Sequence, residues 1–220
     1  MQQNITVTGA FGTLGRAVVE RLNVGGARVA AIDLVNHAER DLLDGVRLFG
    51  GVDLADPTSV DRCFSEIASD QPITGLVNVA GGFVWQLMTG GNIDDWDRMY
   101  RMNLRSAAVA CSSIVPFLAP NASIITIGAA AVNRPGAGMA PYAASKAGVI
   151  ALTESLAEEL RGRARVNAIL PSIIDTPANR ADMPDADPSQ WVTPKELADV
   201  VAFLLSDAAN CISGATIRTR

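Results

Sequence analysis

Tyr142 and Lys146 stand four positions apart at the start of an apolar-periodic segment that continues to about Arg161. If this segment is a helix, the two side chains lie on one face of it. An ammonium held near a phenol favours the phenolate and lowers a pKa that is otherwise about 10. The pair could therefore donate and accept a proton near neutral pH. The alternative is a surface helix that happens to carry both residues. The elements around the pair must distinguish these two interpretations.

A glycine-rich turn follows the first expected strand, Asn4 to Thr8, and precedes a helical pattern that ends at Gly25-Gly26. Backbone without Cβ atoms lets the amides of such a turn approach a pyrophosphate at the positive end of the helix. Glycines also serve ordinary turns, but the order of strand, glycine turn, helix, strand and acid favours a dinucleotide site. The turn residues expected to contact the cofactor are Gly9, Phe11, Gly12, Thr13, Leu14 and Gly15.

The acid is Asp33, at the tip of a second expected strand over Ala27 to Ile32. Its carboxylate can accept hydrogen bonds from both hydroxyls of the adenosine ribose, and it would repel a 2′-phosphate. The sequence therefore predicts NAD(H) in preference to NADP(H). A third strand, Val46 to Val52, leads to Asp53 and Leu54, both of which are expected to contact the cofactor. Asp53 could accept a hydrogen bond from the adenine amino group or simply cap the strand end.

Strands and helices alternate along the rest of the chain. Asp56 is the expected N-cap of a helix, Asp94 and Asp95 cap a long helical stretch to about Phe117, and Thr193 opens a capping box. The remaining strands are expected at Gly75 to Val79, Ser123 to Ile127, Arg165 to Leu170 and Ala215 to Arg218. This pattern predicts an α/β fold, a single doubly wound, Rossmann-like parallel sheet of about seven strands with helices on both faces. Residues 1–220 are expected to form one NAD(P)-binding domain, with a substrate-covering flap at about 172–193.

Composition narrows the class of protein. The 220 residues are 49% hydrophobic and 19% charged, with a net charge of -5 and no basic block. We therefore expect a globular protein with neither nucleic acid nor a membrane as its main partner. No apolar run is long enough to span a membrane, and no export signal is visible, so the expected location is cytoplasmic.

The cysteines and the single histidine indicate a reducing compartment and no metal site. Cys63, Cys111 and Cys211 are widely spaced, which suits a reducing compartment and offers no metal-site spacing. The single histidine, His37, lies in a short polar segment after Asp33 and is interpreted as a solvated loop residue. One histidine excludes a histidine-based zinc site, and we predict no metal.

Together, the motifs resemble the short-chain dehydrogenase/reductase family over nearly the whole chain. They are the glycine turn, Asp53, Asn78-Val79-Ala80-Gly81, Asn103, Tyr142 with Lys146, and Pro171 to Thr176. The resemblance implies that Tyr142 is the general acid/base, that Lys146 holds the nicotinamide ribose, and that Asn103 anchors a proton-relaying water. A mid-helix asparagine is otherwise disfavoured unless it faces solvent. The further contacts that the resemblance implies for the cofactor are Asn78, Ala80, Gly81, Pro171, Ile174 and Thr176.

One departure from the family pattern concerns the substrate. The family usually has a serine thirteen positions before the tyrosine, where this chain has Ala129. Losing a positioned donor to a developing alkoxide commonly costs several kcal/mol of transition-state stabilisation. The dihydropteridine reductases within the family also lack this serine, and they resemble this chain in the Gly-x-x-Gly-x-x-Gly turn and in the flap. A quinonoid dihydropteridine is thus one expected substrate, and an unidentified ketone or alcohol is the other.

The remaining expectations concern the pocket and the assembly. Phe83, Trp85, Ala129 and Trp191 are candidates to line the substrate pocket, although the three aromatic side chains could equally be packing residues. Family members pair through two long helices, so a homodimer or homotetramer is expected. A protein that binds NAD(H) without turnover is the competing hypothesis, since fold alone does not establish activity.

Overall fold

Seven parallel strands form one sheet in the order β3-β2-β1-β4-β5-β6-β7 in the computed structural model, which describes residues 2–36 and 45–220. The expected fold is confirmed. The strands are β1 (Asn4–Thr8), β2 (Arg28–Ile32), β3 (Arg47–Phe49), β4 (Ile73–Asn78), β5 (Leu118–Ile127), β6 (Ala164–Leu170) and β7 (Thr216–Arg218). The helices are α1 (Thr13–Val24), α2 (Pro57–Ile67), α3 (Asp94–Met99), α4 (Ser106–Ile114), α5 (Ala140–Glu159), α6 (Pro177–Asp182) and α7 (Pro194–Leu205). His37 lies outside the described residues.

Helices cover both faces of the sheet because alternate strand residues enter two separate hydrophobic cores. Ile5 and Val7 of β1 enter the core that α1 and α7 complete. Ile124 of β5 enters the opposite core, beneath α2, α4 and α5, whereas its neighbour Ile125 belongs to the first core. This two-sided burial explains why all five residues of β1 and residues 122–127 of β5 are buried, Thr6 and Thr126 included.

Strand order reverses between β1 and β4. The chain first builds outward from β1 to β2 and β3, and then returns to place β4 on the other side of β1. In open parallel sheets, ligands bind at the carboxyl ends of the strands at such a reversal. The segments after β1 and β4, including Gly9 and Ala80, therefore form the expected ligand crevice.

Helix starts follow the expected caps with one exception. Asp56 accepts a hydrogen bond from the Thr58 amide, and Thr193 forms the reciprocal capping box with Glu196. Asp94 and Asp95 do not cap α3; they lie in its first turn, and the Asn92 side chain accepts from the Asp94 amide instead. Carboxylates in a first turn still favour the helix through its dipole.

The long helical stretch expected from Asp94 to Phe117 is not uniform. A π-helical segment, Tyr100–Arg105, separates α3 from α4, and a 3₁₀ turn over Val115–Phe117 ends the run. Single π turns within α-helices are frequent at functional sites. No helix among residues 2–36 and 45–220 is long and apolar enough to cross a membrane.

Candidate active site

The glycine turn between β1 and α1 closes against β4. Gly9 has a φ of 62°, and a Cβ there would lie 2.7 Å from the Cα of Ala80. A Cβ on Gly15 would lie 2.1 Å from the Gly9 carbonyl oxygen, whereas one on Gly12 would meet nothing closer than 3.5 Å. The absence of a Cβ at Gly9 and Gly15 thus permits the close packing of the turn. At Gly12 it leaves open space at the start of α1. That open, amide-lined position fits a pyrophosphate.

Asp33 lies beside this turn, at the end of β2. Its Oδ2 accepts a hydrogen bond of 2.9 Å from the Phe11 amide, and its Oδ1 accepts one of 3.3 Å from the Val35 amide. The carboxylate is therefore fixed at the mouth of the crevice. Thr13 and Leu14 lie in the first turn of α1, where Thr13 is exposed and the Leu14 side chain is buried in the core.

Asp53 follows β3 and is held at both carboxylate oxygens. Oδ1 accepts from the Ala55 amide at 2.9 Å, and Oδ2 accepts from Nη2 of Arg101 at 2.7 Å. The first contact is an Asx turn; because β3 ends at Phe49 and not at Val52 as expected, Asp53 does not cap the strand end. Leu54 is buried in the core between α2 and the sheet.

The end of β4 brings cofactor and catalytic residues together. The Thr8 hydroxyl donates to Oδ1 of Asn78 at 2.6 Å, which ties β1 to β4. A Cβ on Gly81 would lie 2.6 Å from Oδ1 of Asn103 and 3.2 Å from Nζ of Lys146. Gly81 therefore permits these two groups to approach one another beside the chain.

Asn103 is buried within the π-helical segment, with 1% of its surface exposed, so it does not face solvent. Its Oδ1 accepts from the Gly82 amide at 2.8 Å, and its Nδ2 donates to the Gly82 carbonyl at 3.1 Å. Nδ2 also donates to Oγ of Ser145 at 2.9 Å, and that hydroxyl donates to the Tyr142 carbonyl at 2.7 Å. The asparagine therefore fastens the segment after β4 to the helix that carries the tyrosine.

Lys146 and Tyr142 occupy successive turns of α5, as expected. Lys146 is buried, and its Nζ donates to the Ile127 carbonyl at the end of β5 over 2.8 Å. Burial lowers the pKa of the Lys146 ammonium to about 8. The same cause raises the pKa of the Tyr142 phenol to about 12, which is opposite to the lowered pKa expected from the sequence. The expectation was wrong because it considered the neighbouring charge and ignored the loss of water around the phenol.

The substrate candidates differ in their surroundings. Phe83 is 50% exposed and meets the Tyr142 ring edge-on, with ring centroids 5.0 Å apart. Trp85 packs on Gly138 and donates from Nε1 to the Ala137 carbonyl at 3.0 Å. Ala129 is buried at the start of a 3₁₀ turn that precedes α5, and Trp191 is buried in the flap.

The segment after β6 has its own internal contacts. The Pro171 carbonyl accepts from the Ala130 amide at 2.8 Å, which places it beside the Ala129 turn. Ile174 forms a β-bridge with Val192, and the Thr176 hydroxyl accepts from the Asn179 amide as the N-cap of α6. The expected flap is thus an ordered segment with a short helix of its own.

Sequence reasoning missed three contributors to this site: Ser145, the Ile127 carbonyl and Arg101. The position of Ser145 directly before Lys146 could have suggested a role, since a buried serine in a helix needs a partner. No sequence signal marks a particular backbone carbonyl or the pairing of Arg101 with Asp53. Within the described ranges, no group of three or more histidine, cysteine, aspartate or glutamate side chains could hold a metal ion.

Comparisons with known proteins agree with this geometry. A family model described as enoyl-(acyl carrier protein) reductase matches residues 9–219. The human (3R)-3-hydroxyacyl-CoA dehydrogenase is 32% identical, covering 96% of this chain and 91% of the relative. The 3-oxoacyl-(acyl-carrier-protein) reductase of Salmonella typhimurium is 30% identical, covering 96% and 93%.

Solved structures show the same likeness. The ligand-free aldohexose dehydrogenase of Thermoplasma acidophilum has a TM-score of 0.88 at 25% identity, covering 99% of this chain and 92% of that one. A short-chain dehydrogenase/reductase described as glucose/ribitol dehydrogenase, from Brucella melitensis, has a TM-score of 0.85 at 27% identity, covering 100% and 97%. These relatives lend no support to a special closeness to dihydropteridine reductases. They do show that the chain belongs to the short-chain dehydrogenase/reductase family of oxidoreductases, which use nicotinamide cofactors.

Proposed function

We propose that this protein is an NAD(H)-dependent oxidoreductase that transfers a hydride to or from a small organic substrate, with Tyr142 as its general acid/base. The observation that carries the proposal is the buried ammonium of Lys146, held by the Ile127 carbonyl one helical turn from Tyr142. Burying a charge is costly, and the chain would gain by placing an apolar side chain there unless the charge has a chemical task.

That task is to stabilise the phenolate. In the direction of reduction, a bound nicotinamide dinucleotide supplies the hydride to the substrate. Tyr142 donates its hydroxyl proton to the atom that gains negative charge, and the Lys146 ammonium stabilises the phenolate that remains. In the opposite direction, Tyr142 must first lose its own proton, and the resulting phenolate then accepts one from the substrate. Asn103 fixes the distance between Gly82 and α5, so that the reacting groups keep their places.

NAD(H) is the proposed cofactor in preference to NADP(H). The support is the position of the Asp33 carboxylate, fixed by the Phe11 amide beside the glycine turn. A ribose 2′-phosphate at this position would face that negative charge at close range, whereas two free hydroxyls would donate to it. Contacts to the nicotinamide half are proposed for Pro171, Ile174 and Thr176.

Two substrate classes fit the site. A quinonoid dihydropteridine is favoured by Ala129, because the charge that develops on such a substrate is carried by its own ring atoms and needs no serine hydroxyl. A 3-oxoacyl thioester is favoured by the two sequence relatives, whose names describe 3-hydroxyacyl-CoA and 3-oxoacyl-(acyl-carrier-protein) chemistry. Phe83 and Trp85 would contact either substrate beside Tyr142, with the flap at 172–193 covering it.

The cellular setting is part of the proposal. Cys63 and Cys111 are buried and unpaired, and Cys211 is exposed and unpaired, which suits a reducing cytoplasm. We propose a homodimer or homotetramer without nucleic acid or membrane as a partner. Residues 1–220 would act as one catalytic domain.

The proposed function is tested by NADH oxidation with three substrates in parallel. These are quinonoid dihydropteridine generated in situ, acetoacetyl-CoA as a 3-oxoacyl thioester, and a simple cyclic ketone. Tyr142→Phe should lower kcat on the true substrate by about 10²- to 10⁴-fold while NADH binding stays within about twofold, because only the proton donor is lost. NADPH should bind at least tenfold more weakly than NADH.

The pattern of turnover distinguishes the two substrate classes from a protein without catalysis. Tyrosine-dependent turnover of the pterin alone supports the first substrate class, and turnover of acetoacetyl-CoA alone supports the second. NADH binding without turnover of any substrate would favour a protein that binds the dinucleotide without catalysis. A Tyr142→Phe variant as active as the wild type would refute the assigned role of the hydroxyl.

A further inference from the structure

Two arginines of the π-helical segment reach across to the turn that follows β3. Arg101 pairs through Nη2 with Oδ2 of Asp53 at 2.7 Å. Arg105 donates from Nε to the Ala55 carbonyl at 3.0 Å. Asn103 lies two residues from each and therefore points to the opposite side of the helix, toward Gly82. One helical turn thus contacts both the catalytic centre and the 53–55 turn.

The contact with Asp53 contributes little to folding stability. The side chains of Arg101 and Asp53 are 58% and 42% exposed, and ion pairs at such exposure contribute little because water screens them. The contact instead fixes the orientation of the Asp53 carboxylate. The Ala55 amide fixes only Oδ1, so the carboxylate could rotate about this single contact, whereas the Arg101 guanidinium fixes Oδ2 as well.

We infer that Arg101 is a positioning residue for adenine recognition: it orients the Asp53 carboxylate so that a free lone pair accepts a hydrogen bond from the adenine 6-amino group. This inference rests on the proposed NAD(H) function and on the adenine contact that the sequence offered for Asp53 as one of two alternatives. Each carboxylate oxygen has a second lone pair, so both oxygens can keep their protein partners and still accept from a ligand. Arg105 supports the arrangement by holding the backbone of the same turn.

The inference is specific because a second explanation predicts something different. A positive charge at Arg101 could attract a dinucleotide simply through its two phosphates. That attraction would be the same for a dinucleotide without the 6-amino group. Reduced nicotinamide hypoxanthine dinucleotide lacks this amino group and keeps both phosphates, so it separates orientation of Asp53 from general attraction.

The test measures dissociation constants of NADH and of the reduced hypoxanthine dinucleotide by fluorescence titration. Arg101→Met removes the charge and keeps the length of the side chain. Arg98→Met is the matched control, because Arg98 lies on the preceding turn, is 60% exposed and only approaches Asp95 at 4.0 Å. We expect Arg101→Met to weaken NADH about tenfold and the hypoxanthine dinucleotide less than twofold, and Arg98→Met to change neither.

Asp53→Asn provides the second half of the test. If Arg101 acts through Asp53, adding Arg101→Met to Asp53→Asn should weaken NADH binding by less than twofold further. Equal weakening of both dinucleotides by Arg101→Met, or no weakening of either, would overturn the inference while leaving the proposed function intact. Failure of the wild-type protein to bind NADH at all would instead overturn the proposed function.

Discussion

At the scale of single residues, Lys146 carries the largest electrostatic cost in the site. Its ammonium is buried and has the Ile127 carbonyl as its hydrogen-bond partner, and burial lowers its pKa to about 8. Tyr142 stays neutral over the same range because burial raises its pKa to about 12. The charge state of the pair near neutral pH is therefore decided by the lysine.

The pH profile of reduction should show the titration of Lys146. Below about pH 8 the ammonium is charged and stabilises the phenolate that forms when Tyr142 gives up its proton. As pH rises through 8 the charge is lost, so kcat should fall about tenfold per pH unit. Measuring kcat from pH 6 to pH 10 with saturating substrates checks this. A profile that stays flat until about pH 10.5 would show a lysine with the pKa of a solvated one.

Lys146→Met should stabilise the fold while abolishing catalysis. A buried ammonium whose pKa falls from 10.5 to about 8 opposes folding at pH 7 by at most about 3 kcal/mol. We therefore expect the variant to have a free energy of unfolding about 1–3 kcal/mol higher by urea denaturation at pH 7.

The stability advantage of Lys146→Met over the wild type should decrease as pH rises. Between pH 8 and 10.5 the unfolded chain binds more protons at this site than the folded chain, so the wild type gains stability as pH rises. The advantage of Lys146→Met should consequently shrink across that window. An advantage that stays constant from pH 7 to pH 10.5 would contradict the burial of a charge.

Ala129 allows a gain-of-function prediction. The residue is buried beside the Pro171 carbonyl segment, with an extended backbone (φ -155°) that a serine can adopt. Ala129→Ser should raise kcat/KM for a simple ketone by about 10- to 100-fold, because it supplies a donor to the developing alkoxide. Ala130→Ser is the control, since it adds a hydroxyl at the next position. An equal response from both variants would show that the position of the hydroxyl does not matter.

At the scale of elements, two glycines of the turn between β1 and α1 have different roles. Gly15 is required for close packing, because a Cβ there would overlap the Gly9 carbonyl oxygen. Gly12 has an ordinary backbone conformation (φ -75°) and open space around it. The same residue type thus serves folding at one position and ligand access at the other.

Alanine substitutions should separate these two roles. We expect Gly15→Ala to lower the free energy of unfolding by about 3 kcal/mol or more, since the backbone of the turn must move. Gly12→Ala should change it by less than about 1 kcal/mol and weaken NADH binding instead. Chemical denaturation and NADH titration of both variants provide the measurements. Similar unfolding energies for the two variants would contradict the packing role of Gly15.

At the scale of the whole molecule, the outer surface of α4 and α5 is the expected oligomer interface. The small residues on these helices serve two surfaces. Ala107, Ala110 and Ala143 are buried inside the chain, and Gly148 lets Leu104 of the π-helical segment pack closely. Ala144 and Ala147 are exposed, and an open groove of about 360 Å³ lies between the helices. Its lining includes Ala108, Cys111, Ser112, Leu152 and Ser155.

Charge placed in this groove should prevent assembly. Ala108→Arg would put a long charged side chain between helices of two copies, so we expect a 23.0 kDa monomer by sedimentation where the wild type sediments as a dimer or tetramer. Val24→Arg, at the exposed end of α1, is the control and should leave the assembly unchanged. An Ala108→Arg variant that still assembles would place the interface elsewhere on the surface.

The sequence by itself determined the order of the strands and helices and which residues are available for catalysis. Hydrophobic alternation and the caps at Asp56 and Thr193 located most strands and helices within a few residues, because these signals act between near neighbours along the chain. Spacing also placed Tyr142 and Lys146 on one helix. The missing serine at Ala129 was visible in the same way, since it depends on a count along the chain.

Only the tertiary structure decided how these groups behave. The pKa values of Tyr142 and Lys146 depend on water excluded by β5 and by the segment after β4, and no local pattern reports such burial. The π-helical turn at Asn103, its link through Ser145, and the pairing of Arg101 with Asp53 all join residues about 20 to 50 positions apart. Contacts at such separations exist only once the sheet has brought its strand ends together, which is why the sequence named most of the site but not its electrostatics.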